Sequence, residues 1–175
     1  MEEPSSRQPG SNVRHRRTQQ SANVFIADEQ ARPIDTGRLE NLAGFVLADQ
    51  QIPSTLELYV RCVKAEPMAS LNQTHMGKAG PTDVLAFPID LPDDLADGEP
   101  GILGDVVLCP EVAASQAAAH GKTIDQELDL LLVHGILHLL GHDHAEPDEK
   151  KVMFDLTGEL LDGFQEFPSA QGGPQ

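Results

Sequence analysis

The stretch "HGILHLLGHDH", His134–His144, constrains this chain more than any other. It places four of the chain's seven histidines in a segment otherwise built largely from Ile and Leu. An apolar helix buries its surface, and an unpaired imidazole buried with it is costly. His134 and His138 are four residues apart and share one helix face. Gly141 suits the left-handed conformation that stops a helix, so the chain can turn back and present His144 to the same point. The spacing His-x3-His-x5-His therefore predicts a metal site held by His134, His138 and His144. Zinc takes imidazole nitrogen at about 2.0–2.1 Å, and a catalytic zinc keeps three protein ligands with one position open. Asp143 has two readings, as a carboxylate that orients a ligand histidine or as a plain turn residue. His142 has two readings, as a solvent-facing neighbour, which is favoured, or as a group that supports a ligand histidine.

The residue after the first histidine is Gly135. Zinc proteases of the His-Glu-x-x-His type carry a glutamate there as general base. The metal scaffold is thus expected without the peptidase base. Water activated by the metal remains available as a nucleophile, and a phosphodiester fits because its own oxygens can bind the metal.

Periodicity places the motif within a fold. Asn23–Asp28 reads as a first strand and Thr36–Gln50 as a helix with Leu39, Leu42, Phe45 and Val46 on one face. Thr55–Val63 alternates as a strand, with Leu56, Leu58, Val60 and Cys62 inward. A short helix over Pro67–His75 ends at Gly77. Strands follow at Thr82–Asp90 and Gly101–Pro110, separated by an acidic Pro/Gly loop with no reason to be rigid. Pro110 opens a helix that Gly121 caps. Thr123 and Gln126 form a capping box for a central helix over Ile124–Leu140. Pro147 opens a last helix carrying Val152, Met153, Leu156 and Leu160. The expectation is an α+β fold: a small mixed four-stranded sheet against about five helices, the central one carrying the metal site. Residues 1–22 read as a disordered tail, 23–167 as one hydrolase domain, and 168–175 as a frayed end.

Composition sets the company such a site can keep. The formal net charge is -16, which opposes a broad grip on nucleic-acid phosphates. Aromatics make up only 4% of the chain, with several of its six Phe expected in the core, so base stacking is not expected to dominate. Cys62 and Cys109 sit in apolar runs and read as buried thiols in a reducing compartment. No apolar run is long enough to cross a membrane. The "RHRR" near the N-terminus reads as solvated, with contact to nucleic acid as the other reading.

"HGILHLLGHDH" resembles the His-Gly-x-Leu-His-Leu-x-Gly-x-Asp-His signature of the YbeY family, bacterial endoribonucleases of ribosomal RNA maturation and ribosome quality control. "LNQTHMGKAGPTDVLAFP" (Leu71–Pro88) and "LGDVVLCPEVA" (Leu103–Ala113) are similar to two further blocks of that family, in the same order. The resemblance implies a zinc-dependent endoribonuclease, with one zinc ion on His134, His138 and His144. It implies ribosomal RNA or the ribosome as partner, and a cytoplasmic place of work. The family's block has an arginine before Gly-Lys, implicated in RNA cleavage; here that position is Met76. Lys78 is retained and is a candidate to contact phosphate as a point charge. Arg61 is a further cation, with a structural reading beside it. The expected function is a metal-dependent, single-strand-type endoribonuclease with weak intrinsic RNA affinity, placed by the ribosome or an associated protein, with no DNA specificity. The alternatives are a metal-dependent hydrolase of another substrate such as peptides, or a catalytically impaired ribosome-associated binding protein marked by Met76.

Overall fold

A computed structural model describes residues 23–166. The tail readings for 1–22 and 168–175, and the "RHRR" they include, lie outside the described residues. The expected α+β architecture is present: strands β1 (Asn23–Glu29), β2 (Leu56–Val63), β3 (Val84–Pro88) and β4 (Gly101–Leu108), and helices α1 (Thr36–Asp49), α2 (Ala65–Met76), α3 (Pro110–Ala119), α4 (Ile124–Leu139) and α5 (Pro147–Glu166). The sheet order is β1-β2-β4-β3. β1, β2 and β4 run parallel, and β3 is antiparallel to β4.

The strand alternation sorts the core onto two faces. Leu58, Val60, Cys62, Val106 and Leu108 pack beneath α1 and α4. Val63, Leu85, Val107 and Cys109 face the other way, against Met68 and Leu71 of α2. α2 starts two residues before the expected Pro67, because the first helical turn tolerates a proline. β3 is shorter than expected, yet Cys109 N–H still donates to Asp83 O, and Asp90 N–H to Ile102 O, beyond its ends. The acidic loop that follows has more order than expected: a 3-10 turn at Pro92–Asp94, and the Ala96 N–H bonded to Glu99 at 2.8 Å.

The apolar residues read from the sequence are buried to different degrees. Val152 is 58% exposed, since the buried stripe of α5 runs through Met153, Thr157 and Leu160. No described phenylalanine is fully buried: Phe45, Phe87 and Phe164 are half-buried, and Phe25 and Phe154 are exposed. Leucine, valine and alanine fill the interior in their place.

α4 is the element that positions the site. Its capping box is formed as expected: the Thr123 hydroxyl accepts from Gln126 N–H at 3.2 Å and Gln126 Oε1 accepts from Thr123 N–H at 3.0 Å. Leu128, Leu132, Ile136 and Leu139 are buried. Arg38 of α1 reaches Asp129 at 2.7 Å and lies over the Phe164 ring at 5.5 Å, so one guanidinium ties α1, α4 and α5 together. Burial pushes the Asp129 carboxyl above its usual range, although Arg38 pulls the other way.

Candidate metal centre

Gly135 explains how α4 can lie so close to the sheet. A Cβ built on it would stand 2.7 Å from Val106 Cγ1 and 3.3 Å from Val84 Cγ2. Any side chain at this position would drive into β4. The absence of the protease glutamate thus has a packing cause that spacing alone does not reveal. His134 and His138 stand about 100° and 60° round the helix from it, on the same flank.

Gly141 performs the turn expected of it. Its φ is +96, and α4 closes in a Schellman motif: His142 N–H donates to Leu137 O at 3.0 Å and Gly141 N–H to His138 O at 3.1 Å. The chain reverses, and His144 returns to the helix face. The three candidate ligand nitrogens of His134, His138 and His144 lie within 4.8 Å of one another. The Nε2 atoms of His134 and His138 are 3.1 Å apart. Tetrahedral zinc would set its ligand nitrogens about 3.4 Å from each other, so this set fits the ion.

The electrostatics favour neutral ligands. Burial, followed by the neighbouring His138 and His144, lowers His134 to about 4. Burial and His144 likewise lower His138, against a smaller opposing effect of Asp143. Both imidazoles therefore keep a free lone pair near neutral pH, as a metal ligand must. His144 is exposed and supplies the open side of the centre.

The remaining candidates lie on the turn after α4, at the end of α2 and on β2. Asp143 Oδ1 accepts from the His144 backbone N–H at 2.7 Å and stands 3.9 Å from His144 Nδ1. It is a turn residue first, near the ligand ring without a hydrogen bond to it. His142 is half-buried rather than solvent-facing, because its backbone closes the helix. Lys78 is exposed, on the turn that follows Gly77 (φ +66) at the end of α2. Met76, also exposed, is the last residue of that helix. Arg61 is spent on Glu29 at 2.8 Å across β1 and β2, the structural reading.

Two residues were not anticipated from the sequence. The Asp83 carboxylate opposes the lowering of His134, more weakly than burial and the two neighbouring histidines favour it. Its signal was the polar Thr-Asp pair opening an apolar strand. Asn72, 5% exposed, donates from Nδ2 to Gly80 O at 2.9 Å and holds the turn carrying Lys78.

Comparisons with known proteins give the family. Residues 25–165 match the family model described as Endoribonuclease YbeY. A protein of that name from Thermobifida fusca is 50% identical over 145 residues, covering 81% of this chain and 94% of the relative. One from Mycobacterium bovis is 43% identical over 144 residues, covering 79% and 81%. A solution structure from Thermotoga maritima superposes with a TM-score of 0.54 at 25% identity, covering 86% of this chain and 97% of the other.

Proposed function

The chain belongs to the YbeY endoribonuclease family, and on that premise we propose that it is a zinc-dependent endoribonuclease of ribosomal RNA maturation. The observation that carries the reading is the convergence of His134, His138 and His144, two of them held neutral, on one point at the end of α4. One zinc ion is the resident metal and these three side chains hold it. Bound there, it supplies Lewis acidity toward a phosphodiester oxygen and lowers the pKa of water.

The chain's own residues set the rest. Gly135 leaves no carboxylate where a peptidase keeps its base, so a peptide substrate is not favoured. His144 borders the open side, where substrate enters. Lys78 is the cation assigned to the substrate phosphate, as a point charge rather than a bidentate clamp. The partners are ribosomal RNA within the ribosome and a ribosome-associated protein. Cytoplasm is the compartment this implies. No helix among the described residues is long and apolar enough to cross a membrane.

The test is the state of ribosomal RNA ends in cells lacking the protein. Re-expression of the unaltered chain restores mature ends and His138→Ala does not. Equal rescue by His138→Ala would overturn the proposal. Its binding-only alternative is tested at Met76: if both the native chain and Met76→Arg bind ribosomes and neither cleaves, binding is the function.

A further inference from the structure

α5 is divided lengthwise by charge. A helix advances about 100° per residue. With buried Met153 taken as the inward direction, Lys150, Phe154 and Lys151 fall at about 60°, 100° and 160° around it. All the carboxylates of α5 (Asp148, Glu149, Asp155, Glu159, Asp162, Glu166) fall in the next arc, between about 180° and 320°, so that Lys151 borders them and Lys150 and Phe154 stand clear. Phe154 is 75% exposed, more than any other large apolar side chain in the described residues. In a chain of net charge -16, a strip with two lysines, an open aromatic ring and no acid is a marked departure.

The strip begins close to the metal centre along the chain, in the first two turns of α5. On α5, Phe164 meets Phe45 of α1 near the inward direction and Gly163 meets it at about 280°, on the flank opposite Phe154. On α4, Asp129 faces α1 through Arg38. His134 and His138 lie about 140° and 180° round the helix from Asp129. Histidines and strip are therefore both turned away from α1. The chain also links them closely, since His144 stands three residues before Pro147, where α5 begins.

We propose that Lys150, Lys151 and Phe154 form a docking strip for the single-stranded RNA substrate beside the metal centre. A base stacks on the Phe154 ring while neighbouring phosphates meet the two ammonium groups. Stacking tolerates any base, and two cations give a contact of limited strength, in keeping with a chain too acidic to hold RNA along its whole surface. The inference rests on the endoribonuclease reading above and deepens it.

The experiment uses the full chain loaded with zinc and a short single-stranded ribosomal RNA fragment. It measures binding across a salt series, and KM and kcat for cleavage. Phe154→Ala is expected to weaken binding about tenfold and to raise KM more than it lowers kcat. Lys150→Gln with Lys151→Gln is expected to flatten the slope of log affinity against log salt by about 1.4, the change for two phosphates of a single strand. Val152→Ala, exposed on the acidic side, leaves all these values unchanged. Thermal melting should be unaltered throughout, because the exchanged side chains are exposed. Cleavage by the unaltered chain with unchanged binding and KM in the strip variants overturns the strip alone. Strip variants that bind the fragment as the unaltered chain does but no longer co-sediment with ribosomes also overturn it, and assign the face to a protein. No cleavage by the unaltered chain of either the fragment or ribosome-borne ribosomal RNA overturns the endoribonuclease reading and the strip with it.

Discussion

At the scale of single residues, two glycines in one motif do different work. Gly135 is a matter of space: Gly135→Ala is expected to destabilise by about 1–3 kcal/mol through overpacking against Val106, read by chemical denaturation. Gly141 is a matter of conformation. No atom crowds a Cβ there, yet φ is +96, and Gly141→Ala is expected to cost about 1 kcal/mol. It should also displace His144 and weaken zinc binding, which a competition titration with a chelator measures. The sequence carried the role of Gly141, because a left-handed stop is a local rule. It could not carry that of Gly135, whose clash partner lies on a strand distant in sequence.

The lowered imidazoles give a pH signature at the same scale. In the metal-free chain, His134 takes up its proton near pH 4 when folded and near about 6.5 when unfolded. Between these values the unfolded chain binds more protons, so stability rises with pH. The contribution is fully present above about pH 6.5 and is lost as the pH falls through 4. Denaturation midpoints of the metal-free chain should show this fall, and His134→Gln should reduce it. A profile identical in the two chains would contradict the assigned burial.

At the scale of elements, local chemistry was the legible part. The capping box, the glycine stops and the period-2 alternation of β2 each follow from a few neighbouring residues, and each is found where expected. The errors came where distant contacts decide. Val152 had a helical spacing that suited burial, but the face of α5 turned inward is set by α1 and α4 through Phe164 and Leu160. Phe45, Phe87 and Phe164 do pack against the core, though only half-buried. Asp83 acts on His134 from the residue before β3, a relation that no local pattern states.

At the scale of the whole molecule, a chain of net charge -16 carries a cluster of three imidazoles able to hold a metal ion. The two thiols belong to the sheet core: burial raises Cys62 to about 12 and raises Cys109 as well. Neither should react with a thiol reagent at pH 7 until the chain unfolds, so labelling in denaturant is expected to coincide with loss of helical signal. Labelling of the folded chain at the rate of a free thiol would contradict the packing of β2 and β4. The four-stranded mixed sheet and its helices followed from sequence pattern, whereas the strand order β1-β2-β4-β3 did not, because parallel pairing across long connections leaves no local trace.

The most direct test joins metal to cleavage in one titration. Chain stripped by chelator receives zinc stepwise, and bound metal and cleavage of a ribosomal RNA fragment are measured at each step, for the unaltered protein and for His138→Ala. The account predicts that cleavage rises with occupancy and saturates at about one zinc per chain, while His138→Ala binds no zinc at that affinity and does not cleave. Full cleavage by the metal-free chain, or by His138→Ala, would contradict it.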